Sequence, residues 1–320
     1  MTLSPIIVFA YKRPQLLRQT LESLSNNHLA DESDLFIFCD GPKPNANESD
    51  LQKIAEVRKV AREKQWCKSV TVYESETNKG LGPSVISGVT KIVNEFGKVI
   101  VLEDDLLTSP FFLEYMNTAL DKYEHEERVM HISGYMFPIK QMTDDLFFFR
   151  LTTCWGWGTW KRAWDKLETN PNVLKQKLKK SKLYEYFNLE GHGDFALQLD
   201  LNIRGILNTW AVRWYASVIL NGGLSLHPGK SYVENIGFGE DASNTKKGSS
   251  IYHINELADK VNIYDIPLEE SIMVRDWMMK FYDSARRNSY MKFLFKHYTG
   301  SFIVRNIILL STKLYAKKLI

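Results

Sequence analysis

Three carboxylates stand in a row at Glu103-Asp104-Asp105, directly after the apolar run VIVL at 99–102. Adjacent acids at the end of a buried strand repel one another unless a cation or solvent compensates. Hard divalent cations such as Mg²⁺ and Mn²⁺ take carboxylate oxygens and keep positions open for phosphate. The triplet therefore predicts a metal-plus-phosphate site. Its competing reading is an acidic turn ahead of a helix with Ser109 as N-cap and Pro110 in the first turn. Other chemical motifs fail on spacing. Gly223 to Ser231 (GLSLHPGKS) places five residues between its first glycine and Gly229-Lys230, one too many for a P-loop. Gly80-Leu81-Gly82-Pro83-Ser84-Val85 lacks the third glycine of a dinucleotide fingerprint. The seven histidines show no zinc-ligand spacing, and no GxSxG elbow occurs.

The first 105 residues alternate apolar runs with amphipathic ones. Strands are predicted at Pro5–Ala10, Leu35–Cys39, Val70–Tyr73 and Val99–Leu102. Helices are predicted at Gln15–Leu24, at 48–65 and at Pro83–Phe96. Repeated strand–helix order gives a mainly parallel sheet with helices on both faces. In such sheets ligands bind beyond the carboxyl ends of the strands. Those ends read Tyr11-Lys12-Arg13, Asp40, Asn78-Lys79-Gly80 and Glu103-Asp104-Asp105. All four collect on one edge and define one pocket. Beyond Phe111 come a helix to Tyr123, a strand VMHIS at 129–133 and an aromatic stretch through Trp164. The run KQKLKKSK at 175–182 reads as a solvated helix face, and 236–250 as a glycine- and serine-rich loop.

The chain has 320 residues, 44% of them hydrophobic and 25% charged, enough to bury a sizeable core and too apolar for disorder. A net charge of +3 excludes an electrostatic footprint for nucleic acid. Cys39, Cys67 and Cys154 form no paired framework, which fits a reducing compartment. No signal-peptide pattern and no apolar run of spanning length is visible, so a cytoplasmic location is expected. Six of the eight tryptophans lie between Trp155 and Trp214. Trp155, Trp157 and Trp160 could stack on sugar rings, with core packing as the competing reading. From Tyr290 to Ile320 basic residues alternate with an apolar face, as in a helix lying on the inner face of an anionic membrane. A helix docked on the core or on a second chain fits that pattern equally.

A basic residue after the first strand, Asp after the second and an EDD form of the DxD motif together resemble the GT-A glycosyltransferases. VLEDDLLTSPFFLEYMN (101–117) resembles the corresponding stretch of N-acetylglucosaminyltransferase I, as does Arg13. CWGWGTWKRAW (154–164) and the block at 208–244 are similar to related bacterial glycosyltransferases. The resemblance implies a Rossmann-like GT-A fold with a smaller acceptor-side lobe. It divides the chain into a nucleotide-sugar-binding part (1–150), an acceptor-side part with a lid loop (151–250) and a C-terminal helical extension (251–320). It also implies that Asp105 coordinates Mn²⁺ (or Mg²⁺), and that Asp104 and Glu103 contact the donor ribose and sugar. Arg13 and Asp40 would hold the nucleotide, Asp40 by accepting from a uracil N–H, with Lys79 beside the nucleotide or diphosphate. The loop from Gly237 to Ser243 would close over the donor.

The implied reaction moves a sugar from a UDP-sugar to a saccharide or lipid-linked saccharide with inversion, in surface polysaccharide or glycoconjugate synthesis. An acceptor hydroxyl needs a carboxylate base. Ala211 stands where some relatives carry an acid, which leaves Asp200 and Asp194 as candidates and Glu240 as a third. Arg213 would pair with an anionic group or serve a structural ion pair. Two alternatives remain: a nucleotide- or sugar-binding protein of the same fold without its base, and a nucleotidyltransferase. The second should carry a glycine-rich, Arg-containing loop after the first strand, which Tyr11-Lys12-Arg13-Pro14 lacks.

Overall fold

The structure, a computed structural model, describes residues 2–140, 145–238 and 250–298. The alternating runs fold as their periodicity dictates. β1 (Ile6–Ala10) is buried along its length and runs into α1 (Pro14–Ser25), whose Leu17, Leu21 and Leu24 face the core. β2 (Asp34–Cys39) leads to α2 (Glu48–Ala61), which is N-capped by the Asn47 side chain accepting from the Asp50 N–H. β3 (Ser69–Glu74), α3 (Leu81–Phe96) and β4 (Lys98–Glu103) complete the repeat. β3, β2, β1 and β4 lie side by side in that order, all parallel. Their carboxyl ends therefore share one edge.

The sheet continues through residues whose strands were harder to read. After β5 (Leu106–Thr108) and α4 (Phe112–Lys122) come β6 (Val129–Ser133), β7 (Phe147–Phe149) and β8 (Trp157–Trp160). β9 (Leu224–His227) and β10 (Val233–Asn235) follow later. The eight-stranded order is β3-β2-β1-β4-β8-β6-β9-β7, with β8 antiparallel to both β4 and β6. β5 and β10 pair separately as an antiparallel ribbon. Only one residue pair, Asp104-Asp105, separates β4 from β5, so the acids form a tight corner between two paired strands. That corner is not a cap for the next helix. Ser109 instead donates to the Ala258 carbonyl at 2.5 Å and accepts from the Phe111 N–H.

Between β8 and β9 lie the short α5 (Lys161–Trp164), α6 (Pro171–Lys180), the short α7 (Tyr184–Phe187), α8 (Phe195–Ile203) and α9 (Ala211–Leu220). α6 to α9 bury Leu174, Phe187, Leu199 and Tyr215 against Phe147 and Phe149 of β7, a separate helical cluster over one end of the sheet. The stretch 253–271, expected within a helical extension, is instead an extended strap. Ile263, Ile266 and Leu268 pack on the main core, and the strap bonds through Ala258 N–H to Ser231 and Ser271 N–H to Phe148. Ile254, Leu257, Ala258 and Val261 recur at helical spacing, yet this stretch forms no helix and lays those side chains on the main core. α10 (Ile272–Tyr298) begins beyond it and docks through Val274 and Met278. No helix among the described residues is long and apolar enough to cross a membrane.

Candidate functional site

Arg13, the first residue past the end of β1's turn, reaches across the edge to the acidic corner. Its guanidinium donates to Asp104 and, at 2.8 Å, to Asp105 Oδ2. The Tyr11 N–H also points at Asp104 Oδ2, at 3.4 Å. The side chains of Arg13, Asp104 and Asp105 are 14%, 4% and 9% exposed. A cation was required here, and Arg13 provides at least part of it. Burial opposes the Arg13 charge, yet the two carboxylates outweigh burial and raise its pKa. Burial pushes Asp104 up to about 6, with Arg13 pulling the other way. Glu103 is pushed up to about 8, by burial first and then by Asp105 and Asp104.

Asp105 has a second feature. Its Oδ1 is buried and has no hydrogen-bond partner among the described residues. Its backbone carbonyl accepts from the Ile236 N–H at 2.8 Å, bringing the chain after β10 onto the carboxylate. A Cβ at position 237 would sit 2.0 Å from Asp105 Oδ2, so only glycine permits this approach. An orphaned, ionisable oxygen is costly to bury and suits a cation or a donor supplied by a ligand. Mn²⁺ or Mg²⁺ fits such a place, because these ions are commonly held by one or two carboxylates plus phosphate oxygens and water. Among the described residues no group of three or more His, Cys, Asp or Glu could hold a metal unaided. The protein would supply only part of the shell.

Asp40, at the end of β2, is 9% exposed and engaged on both oxygens. Oδ1 accepts from the N–H groups of Gly41 (2.9 Å) and Lys79 (2.8 Å). Oδ2 accepts from Asn78 Nδ2 (2.9 Å) and the Gly80 N–H (3.0 Å). The loops after β2 and β3 are thereby tied together, and the Lys79 residue is exposed beside them. Lys12 is drawn aside into a 2.7 Å pair with Asp50.

The aromatic segment meets the same corner. Burial, then Glu103 and Asp105, push the Cys154 thiol up, which places Cys154 beside the acids. Trp155 is partly buried and packs edge-on against Tyr135, Phe238 and Tyr252, with centroids 4.6, 5.9 and 6.0 Å away. Trp157 and Trp160 are 0% and 2% exposed, so neither can stack on a sugar. Trp210, Trp157, Trp164 and Trp214 pack in succession inside the core. Three indole N–H groups of the segment donate internally, Trp160 to the Leu120 carbonyl, Trp164 to Thr90 and Trp214 to His131. Core packing accounts for the tryptophan excess, with Trp155 the exception.

The two candidate bases have different surroundings. Asp200, on α8, pairs with Lys175 of α6 at 2.5 Å. Asp194 precedes α8, is exposed and accepts from Gln198 at 2.9 Å. Burial, and after it the charge of Asp194, raise the pKa of the Tyr252 phenol. Glu240 and the rest of the loop from Gly239 to Ser243 lie outside the described residues, as does 299–320 of the basic C-terminal segment. Arg213 donates to Asn202 Oδ1 (3.0 Å) and Asn208 Oδ1 (2.7 Å) and has no ion pair among the described residues. Sequence reasoning missed Cys154, Asn78 as a side-chain donor, and the contact of Gly237 with Asp105. Gly237 carried a signal, a glycine just past a strand-like VEN, but its partner lies 132 positions earlier in the chain.

No family profile and no curated protein matches the sequence. Among solved structures, GalNAc-T7 with UDP, GalNAc and Mn²⁺ is 12% identical at a TM-score of 0.44, over 73% of this chain and 44% of that one. S. aureus TarS 1–349 is 13% identical at 0.39, over 72% and 59% of the two chains. The galactosyltransferase LgtC in complex with donor and acceptor sugar analogues is 10% identical at 0.35, over 69% and 72%. The chain thus spans less than half the length of the GalNAc-T7 chain it matches.

Proposed function

We propose that this chain is a GT-A, metal-dependent glycosyltransferase that moves a sugar from a UDP-sugar to a saccharide or lipid-linked saccharide, with inversion. The observation that carries this reading is the buried, unpartnered Asp105 Oδ1 at the carboxyl edge of four parallel strands. Arg13, Asp40, Lys79 and the acidic corner all end on that edge, where open α/β sheets bind ligands. A bound Mn²⁺, held by Asp105, would supply charge stabilisation to the departing diphosphate.

The protein's own groups do the remaining work. Arg13 keeps Asp104 and Asp105 oriented through its two hydrogen bonds. Glu103, lifted toward neutrality, can donate as well as accept toward a sugar hydroxyl. Trp155, partly buried next to Cys154, is the indole we assign to the acceptor side, where an aromatic ring suits a saccharide. Asp194 is the base we favour, because it is exposed and has no ion pair among the described residues, whereas Asp200 pairs with Lys175. It would take the acceptor hydroxyl proton as that oxygen attacks the anomeric carbon and UDP departs. A role in surface polysaccharide synthesis, with the basic C-terminal segment on the inner membrane face, extends the same reading. The test is UDP release from a panel of UDP-sugars with Mn²⁺ and short saccharide acceptors. Release with one donor and its loss in Asp194→Asn support the proposal. UDP binding without turnover on any donor would favour the binding-protein reading.

A further inference from the structure

Asp40 presents an arrangement that the donor-site reading does not use. A carboxylate has about four acceptor positions. At Asp40 four donors from the chain take them: the N–H groups of Gly41, Lys79 and Gly80, and the Asn78 amide. Asn78 closes the ring by donating also to the Gly41 carbonyl at 3.1 Å, while its own N–H donates to the Pro42 carbonyl at 3.0 Å. The two loops could not lie closer. A Cβ on Gly41 would fall 2.6 Å from the Thr77 backbone and 2.7 Å from the Ser75 carbonyl oxygen. Two of the donors belong to Lys79 and Gly80, the residues directly ahead of α3, and Gly80 is its N-cap with no side-chain cap of its own. The carboxylate thus sets both where α3 begins and the direction in which Lys79 leaves the backbone.

We propose that Asp40 is a positioning residue: it clamps the 78–80 turn so that Lys79 and the start of α3 face the donor, and it does not read the nucleobase. A uracil N–H could reach Asp40 only by displacing an amide donor, which would then lose its partner at a partly buried place. Selection of the base must come from other groups on the edge. This inference rests on the donor-site reading for its consequence, and on the hydrogen bonds alone for the clamp.

The test uses the full chain with Mn²⁺, UDP and CDP as probes, and amide hydrogen exchange. Uracil offers a donor at the ring nitrogen where cytosine offers an acceptor, so a carboxylate reading that atom should discriminate between them. Asp40→Asn is expected to weaken UDP at least tenfold while the UDP-to-CDP preference stays within twofold. Exchange at the Lys79 and Gly80 amides should rise in the same variant. Lys79→Met should weaken UDP several-fold in the wild type and hardly at all in the Asp40→Asn background. A tenfold shift of preference toward CDP, or unchanged amide exchange, overturns the proposal. If Asp40→Asn does not fold, Asn78→Ala takes its place: a clamp predicts weaker UDP binding, and a base-reading Asp40 predicts unchanged or tighter binding. A wild type that binds neither nucleotide ends the donor-site reading, and the exchange result still decides the clamp.

Discussion

Arg13→Met isolates the charge balance of the acidic corner. Arg13 is the cation hydrogen-bonded to Asp104 and Asp105, and both side chains are nearly out of solvent. Removing one partner of a buried ion pair costs about 3–5 kcal/mol. A second route to the magnitude agrees with that range. An uncompensated buried carboxylate can take up a proton, and holding it protonated at pH 7 against an unfolded value near 3.9 costs about 4 kcal/mol. The same cost falls to about 1.5 kcal/mol at pH 5. Urea unfolding should therefore show Arg13→Met less stable than wild type by about 4 kcal/mol at pH 7 and by about 1.5 kcal/mol at pH 5. Millimolar Mn²⁺ should recover part of the loss, since a divalent ion can replace the missing charge. The wild type follows the same sign. Glu103 and Asp104 both titrate above the usual carboxylate range, to about 8 and about 6, because burial disfavours their charge. A raised acid contributes stability that is present below its unfolded value and lost as pH rises through the folded one. The reasoning is refuted if the variant lies within about 1 kcal/mol of wild type at pH 7, or if the gap is the same at pH 5.

Gly237→Ala would place a methyl 2.0 Å from Asp105 Oδ2, so the loop or the carboxylate must shift. Manganese-dependent UDP affinity should fall at least tenfold in that variant, and calorimetry giving a wild-type value would count against the contact. Burial lowers His227 to about 4, so it supports stability above its ordinary value of 6.5 and loses that support as pH falls toward 4. The difference in unfolding free energy between wild type and His227→Leu should shrink by about 3 kcal/mol across that window. Trp157→Ala should cost about 3–5 kcal/mol in urea melts, because the ring is fully buried among other indoles. Trp155→Ala should instead raise the acceptor KM more than it lowers stability, and the opposite ranking in kinetics and melts would place Trp155 with the core.

Much of the parallel part of the sheet was legible in the sequence because its signals are local. PIIVFA, LFIFC and VIVL are buried parallel strands, and such strands read as continuous apolar runs. Their carboxyl ends then fall on one edge by topology, which is why Arg13, Asp40, Lys79 and Asp105 could be grouped before any contact was known. Other features were long-range and left no local pattern. The strand at Trp157–Trp160 is written WGTW, and the large indoles look as much like a binding platform as like a strand wedged between β4 and β6. The strap at 253–271 even carries a misleading pattern, helix-like spacing at Ile254, Leu257, Ala258 and Val261, which packing on the core surface overrides. The counter-charge for the triplet could be inferred as necessary, but its identity depended on the 2.8 Å reach of Arg13 across two strands. Asp40 shows the same limit. Its type and place suggested a ligand contact, and only the four donors around it reveal a clamp.

The central claim is that Asp105 and a divalent ion together hold a nucleoside diphosphate. Calorimetric titration of UDP into the wild type and Asp105→Ala, each with and without Mn²⁺, tests it most directly. The account predicts that Mn²⁺ tightens UDP binding at least tenfold in the wild type and has no effect in Asp105→Ala. Equal UDP affinity with and without Mn²⁺, or an Asp105→Ala variant that responds to Mn²⁺ as the wild type does, would contradict it.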